Sequence, residues 1–404
     1  LITGASDDDP SGIATYSQAG AQFGYGLTWT MLFTYPLMTA VQIISAEMGR
    51  TTGCGIAGNL RLHAPSWLLH AIVILLVVAN TINIGADLGA MAESTRLITG
   101  GPQFLFVLIF ALLCALLQVF MRYARYVTML KWLTLALLAY VVTAFVVHVP
   151  WGEALKSFVI PRVQWDKDYL TTVVAVFGTT ISPYLFFWQA SQEAEDVRET
   201  PERKALKKAP EQGPDAIERI ELDTIAGMAI SNLIALAIIV TAAATLHTHG
   251  VTEIRTSAQA AEALRPIAGP LAEALFAIGV VGTGLLSVPV LAGSAAYAIG
   301  EARQWKTGLA QRPLQAKRFY AVICLATLVG MLMNFTPIDP IRALYWSAVI
   351  NGVVATPVMA IMMWMAAAPK VMGAFVIGGW IKGLGWAATG IMGLSVVAML
   401  AAMF

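Results

Sequence analysis

The sequence predicts an all-α polytopic membrane protein: two inverted halves of five helices each, followed by one extra helix. Three observations carry this. Of 404 residues, 58% are hydrophobic and 12% charged, with a mean hydropathy of +0.71; a soluble domain carries about 25% charged residues. Apolar stretches of roughly 20 residues recur along the chain, the length that crosses a ~30 Å hydrocarbon layer. Two of them, the first and the sixth, are interrupted near their middles by proline among glycine, serine or threonine.

Eleven spans follow from the apolar pattern. The first, residues 1–22, is broken. The next four cover 28–49, 67–95, 103–121 and 126–149. The sixth, 169–192, is also broken, and the last five cover 222–246, 270–299, 318–336, 341–365 and 384–404. The chain is therefore read as one transmembrane domain, with a first repeat over 1–150, a second over 165–365, and an added helix at 384–404. Residues 193–221 hold charges of both signs and three prolines, and read as a solvated loop. Residues 150–168, with Trp151 and Trp165, read as an interfacial connector.

Charge sets the orientation. Loops after even-numbered spans hold 18 Lys and Arg against 7 on the other side, so the basic side and the amino terminus are expected in the cytoplasm. A net charge of +1 offers no basic surface for nucleic acid. Cys54, Cys114 and Cys324 are scattered and form no CxxC, which makes them small core residues rather than a disulfide framework. Leu1 in place of Met points to a trimmed start, and nothing resembles a cleavable signal peptide.

A bilayer gives the acidic opening its meaning. Asp9-Pro10-Ser11-Gly12 falls inside span 1, where proline lacks a helical N–H and glycine frees the backbone. Unpaired backbone groups and a carboxylate cannot face lipid, so the break must line a protein cavity. An intramembrane carboxylate costs ~2.5–3.5 kcal/mol on insertion scales and is a functional candidate by default. Gly178, Thr179, Thr180, Ser182 and Pro183 interrupt span 6 at a similar depth. Breaks in the first and sixth of ten spans suggest two five-helix halves, the second inverted, with a site between them; two proline kinks in ordinary spans are the alternative. The groups on offer are the Asp9 carboxylate, freed carbonyls near Gly12 and Thr179, and the Ser11, Thr180 and Ser182 hydroxyls. All are oxygens, which suits a hard cation.

Residues 9–29, DPSGIATYSQAGAQFGYGLTW, resemble the first helix of the Nramp (natural resistance-associated macrophage protein) divalent-metal transporters. Their pattern is Asp-Pro-Gly-Asn followed by a near-identical Gln-Ala-Gly-Ala-Gln-Phe-Gly-Tyr run, here Gln18 to Tyr25. The resemblance implies a LeuT-like inverted-repeat fold with a metal ion held between unwound helices 1 and 6. It places Asp9 at the metal-binding aspartate, Gly12 at a coordinating asparagine, Thr179 at a carbonyl-donating alanine, Ser182 at a methionine ligand and Tyr184 at a histidine.

These departures remove an amide and the one soft ligand that favours manganese and iron over magnesium, and are expected to leave room for a partly hydrated ion. The pattern is similar to the Nramp-related magnesium transporters, a prokaryotic branch carrying Mg²⁺ and Mn²⁺ without obligatory proton coupling. Along span 3 the family's proton route uses an aspartate and a glutamate three residues on; here Asp87 is retained and Ala90 replaces the glutamate. Glu93 either enters the widened cavity as a second acid or lies in water near the membrane edge. Asn80, Asn83 and Asp87 share a helix face that lipid would not tolerate.

Other residues carry plainer expectations. Asp7 and Asp8 precede the break, and one of them stands to line the intracellular vestibule. Asn351 either helps shape the site or makes a helix–helix hydrogen bond. His247 and His249 suit a wet loop better than a metal site. Glu193, Glu195 and Asp196 read as a solvated cap, and Trp188 and Gln189 as packing. The expected function is import of Mg²⁺ and Mn²⁺ by a monomer in the prokaryotic cytoplasmic membrane, the ion being substrate and no cofactor being implied. The alternatives are a proton-coupled Mn²⁺/Fe²⁺ transporter and, from a different class, an amino-acid symporter of the same architecture.

Overall fold

A computed structural model describes residues 8–121 and 135–403. Asp7, Arg122, Arg125, Lys131 and the first part of span 5 lie outside the described residues. Helix α1 (Pro10–Phe23) opens on Asp9, whose backbone is extended and whose side chain accepts from Gly12 N, with Pro10 at the first helical position. The Asp-Pro pair that interrupts span 1 is thus a helix start: Asp caps well, and proline at the first position loses no bond. After a 3₁₀ turn at Gly24–Leu27 the chain bends by 109° into α2 (Trp29–Thr52).

There follow α3 (Ser66–Thr99), α4 (Gln103–Phe120) and α5 (Leu138–Val146), the described end of span 5. The connector contains a short helix, Trp151–Val159. Span 6 is two helices, α6 (Lys167–Thr180) and α7 (Pro183–Glu199), the second opening on Ser182 and Pro183. The remaining spans are α8 (Gly213–Thr245), α9 (Ala272–Ala302), α10 (Lys317–Met333), α11 (Pro340–Ala366) and α12 (Gly379–Met403).

Packing follows the inverted-repeat expectation. Helix α1 of the first half packs on α8, and α7 of the second half packs on α2, while α3 packs on α9. Exchanging span 1 with span 6 and span 2 with span 7 turns the first contact into the second. Small residues bring both pairs close. A Cβ on Gly20 would lie 2.3 Å from the Ile239 carbonyl oxygen, and one on Gly49 would lie 2.1 Å from that of Ala190. Span 6 is enclosed by protein: the whole of its apolar window is buried, against 28% of that of α4, which turns Phe104, Leu108 and Leu112 outward. A broken helix has to be interior, since lipid offers its freed backbone no partner.

Residues 193–221 are not one solvated loop. Helix α7 runs on to Glu199 and α8 starts at Gly213, and Glu193 and Glu195 are buried. Glu195 accepts hydrogen bonds from the Tyr297 hydroxyl of α9, from Leu309 N at 3.3 Å and from Ala310 N at 2.8 Å. Glu193 pairs with Arg219 at 2.6 Å, and Asp196 with Arg203. A charge run marks solvent only when nothing folds over it; here the loop after α9 does. Tyr297→Phe removes one donor from a buried carboxylate and is expected to lower stability by about 1–3 kcal/mol, read as a drop in the thermal midpoint in detergent.

Candidate cation site

The two helix starts meet at Asp9. Its Oδ1 accepts from the Ser11 hydroxyl at 2.6 Å and from Gly12 N at 2.8 Å. Its Oδ2 accepts from Asn83 Nδ2 of α3 at 3.1 Å and from the Tyr184 hydroxyl of α7 at 3.3 Å. Asp9, Thr179 and Ser182 are each 1% exposed. Among the described residues no basic side chain contacts the Asp9 carboxylate. Its charge is held by four neutral donors and by the positive end of α1, while α6 turns its carbonyl end toward the same region.

Asn83 extends the cluster. The same Nδ2 lies 3.4 Å from Asp87 Oδ2, which also accepts from the Ser287 hydroxyl of α9 at 2.7 Å. Asn83 Oδ1 accepts from Asn351 Nδ2 of α11 at 3.1 Å. Asn351 therefore makes a helix–helix hydrogen bond and stands one link from Asp9. Asn83 was visible in the sequence as a polar residue on an apolar span, although its contact with Asp9 was not. Ser287 carried no signal, because serine in a helix commonly bonds its own backbone.

Some expected residues stand elsewhere. Thr180 donates to the Val176 carbonyl of its own helix at 2.9 Å and does not join the cluster. Ser182 donates to the carbonyls of Gly178 at 2.9 Å and Thr179 at 2.8 Å, satisfying groups freed at the end of α6. Glu93 is not a second acid at Asp9: its Oε1 accepts from Ser257 N at 3.1 Å, tying α3 to the chain that follows α8. Nor does Gly12 leave open room. A Cβ there would lie 3.1 Å from Thr179 Oγ1, because α6 has closed in where the side chain is missing. Asp8 is buried and accepts from the Ser231 hydroxyl of α8 at 3.1 Å. His247 sets Nδ1 2.8 Å from the Ala21 carbonyl oxygen.

Where α1 ends and α6 and α11 begin, a cavity of about 440 Å³ descends to Ala14, two residues beyond Gly12. Gln18, Gln22, Lys167, Glu253, Arg342 and Tyr345 line it. Gln18 straps the rim, donating to the Thr252 carbonyl at 3.0 Å and accepting from Ile254 N at 2.9 Å. The Arg255 hydrogen bond, aided by its charge and that of Arg342, holds Glu253 below the ordinary carboxylate range, so the rim keeps an ionised acid. At the opposite end, Glu195 and Glu301 bind the interhelical loops: Glu301 accepts from Gly55 N at 3.1 Å and Gly58 N at 2.9 Å.

A buried acid at the start of α1, facing the break between α6 and α7 in a bundle whose halves repeat in inverted order, is the arrangement of secondary transporters. Comparison with known proteins narrows the class. The profile of the family described as Nramp, natural resistance-associated macrophage protein-like, matches residues 1–402, and the chain belongs to this family. A Klebsiella pneumoniae relative, the divalent metal cation transporter MntH, is 26% identical over 407 residues, spanning 95% of this chain and 88% of its own length. The crystal structure of an Eremococcus coleocola manganese transporter, bound to an aromatic bis-isothiourea substituted compound, superposes with a TM-score of 0.74 at 16% identity. That match covers 100% of this chain and 86% of the other. MhsT in complex with L-phenylalanine gives a TM-score of 0.68 at 11% identity, over 100% of this chain and 97% of its own. These likenesses establish a LeuT-like fold.

Proposed function

We propose that the chain imports divalent cations, Mg²⁺ and Mn²⁺, by alternating access in the cytoplasmic membrane of a prokaryote, as a monomer with its amino terminus in the cytoplasm. One observation carries the reading: a fully buried carboxylate, Asp9, surrounded by oxygen and amide groups at the meeting point of two helix starts. The names of the Klebsiella and Eremococcus proteins support the divalent ion and the manganese. Magnesium is supported by Gly12 and Ser182, which bring neither an amide nor a thioether to the site at those two positions.

In this reading Asp9 supplies the charge, and carbonyls near residues 9–12 and 179–180 contact the ion or its waters. Ser182 contributes its oxygen lone pairs while its proton stays on the α6 carbonyls. The repeats over 1–150 and 165–365 rock about the site, and the helix at 384–404 lies outside them. A doubly charged ion crossing 100 mV gains ~4.6 kcal/mol, twice the single-charge value, which suffices as driving force.

A second reading, proton-coupled Mn²⁺/Fe²⁺ transport, is favoured by Asp87, whose Oδ1 has no hydrogen-bond partner among the described residues. Ala90, buried on the same helix, argues against a paired acid there. An amino-acid symporter is not supported, since MhsT shares the fold alone. Proteoliposome uptake with internal pH followed simultaneously separates the readings. Mg²⁺ and Mn²⁺ entry without acidification is expected; acidification in step with metal flux would favour the second.

A further inference from the structure

At the end of the bundle where α2 leads into α3 and α11 into α12, three segments far apart in the chain gather basic side chains. His63 closes the short helix Ile56–His63 between α2 and α3. Lys207 lies in the connection from α7 to α8, and Lys370 in the short helix Pro369–Met372 that follows α11. Backbone bonds fix the arrangement: Leu206 N and Lys207 N donate, each at 3.2 Å, to the carbonyls of Arg50 and Thr51 in the last turn of α2. The Lys207 ammonium reaches across to the carbonyls of Val371 at 3.2 Å and Lys370 at 3.5 Å. Its stem packs on the next turn, where a Cβ on Gly373 would lie 3.6 Å from Lys207 Cγ.

The charge gathered here is unbalanced. Burial, then the charges of Lys207 and Lys370, hold the His63 imidazole below its ordinary range, and no carboxylate offsets them. Among the described residues neither lysine joins an ion pair. Both lysines are exposed, and of the three donors on an ammonium Lys207 spends two on carbonyls. His63 Nδ1 is buried with no hydrogen-bond partner among the described residues. Lysines that only keep a face wet swing apart, because like charges repel. Lys207 is pinned in place, so the repulsion is relieved by an anion.

Membrane depth says which anion. Leu62 and Trp67 flank His63 and are exposed, as are Trp364 in the last turn of α11 and Trp380 at the start of α12. Tryptophan concentrates at the level of lipid headgroups, which sets the basic cluster in that layer rather than out in the aqueous phase. Basic pockets between spans at that level suit acidic headgroups.

We propose that His63, Lys207 and Lys370 form a binding site for the phosphate of an anionic phospholipid, in the leaflet read above as cytoplasmic. A zwitterionic lipid fits less well, because its own ammonium would meet three groups of like charge. The bound lipid ties together the α2–α3, α7–α8 and α11–α12 connections, and the site is independent of Asp9.

The test follows the thermal midpoint of the full chain in a non-ionic detergent at physiological salt. It is titrated with dioleoyl phosphatidylglycerol, with phosphatidylcholine of the same chains, or with inorganic phosphate. Phosphatidylglycerol is expected to raise the midpoint saturably, since a ligand of the folded state stabilises it; the other two should leave it in place. Lys207→Gln and Lys370→Gln should each raise the half-saturating phosphatidylglycerol about fivefold, and the two together about thirtyfold, the worth of a lysine at an anionic surface. The control, Lys306→Gln with Lys317→Gln, removes as much charge from the same end and should stay within about twofold, because salt screens distant charges. Should Lys207→Gln fail to fold, Lys370→Gln decides, since Lys370 meets Lys207 through its backbone carbonyl alone. No response to phosphatidylglycerol, an equal response to phosphatidylcholine, or a full response to inorganic phosphate overturns the assignment. So does an equal loss in the control, or an unchanged half-saturation in Lys370→Gln.

Discussion

Asp9→Asn is expected to weaken divalent-cation binding at least about a hundredfold and to leave the fold intact. Asparagine is nearly isosteric with aspartate and caps a helix as well, so the bonds from Ser11 and Gly12 N to Oδ1 survive. Two things are lost. The charge goes, and at ~4 Å with an effective dielectric of ~20 one unit charge attracts another by about 4 kcal/mol, more for a divalent ion. The amide NH₂ also replaces Oδ2, which now accepts from Asn83 and Tyr184, so donors would face donors. Calorimetric titration should show at least a hundredfold weaker binding, about 2.7 kcal/mol, for Mg²⁺ and Mn²⁺ alike. The thermal midpoint without metal should hold or rise, because a buried charge has been removed.

Gly178→Ala has the largest expected effect on stability. Gly178 sits where α6 crosses α11, and a methyl there would lie 2.0 Å from the Ala348 carbonyl oxygen and 2.4 Å from Gly352 N. Backbone atoms cannot swing aside, so the two helices must part, at a cost of at least about 3 kcal/mol. The gap would open next to Thr179 and one turn before Ser182, so transport should fall with stability. Gly390 on α12 is the control: exposed, with nothing within 4 Å of an added Cβ. Gly390→Ala should be neutral or gain up to about 1 kcal/mol of helix propensity. Thermal unfolding of the two variants in the same detergent gives the comparison.

The fold was legible because a membrane leaves few options. Apolar length marked the spans, and the observed helices that are described in full begin and end within a few residues of them, apart from α7 and α8, which run about seven to nine residues further into the charged connection. Asp9 could be found because a carboxylate inside an apolar stretch is conspicuous, and Asn83 and Asp87 because they share one face of α3. The direction of each side chain was not legible. Thr180 and Thr179 are adjacent and chemically identical, yet one bonds its own helix and the other faces Gly12; that difference comes from where α1 crosses α6. Glu93 turned to Ser257, and Glu195 was buried, for a similar reason: loops that no local pattern describes fold over them. The closeness of α6 to Gly12 also depends on tertiary packing, so a missing side chain read as added room when a neighbouring helix had taken the space.

The most direct test of the central claim is anomalous diffraction from crystals of the chain equilibrated with Mn²⁺. The account predicts one dominant peak against the Asp9 carboxylate, between the start of α1 and the end of α6. A dominant peak at the Glu253 rim, or none near Asp9 at saturating metal, would contradict it.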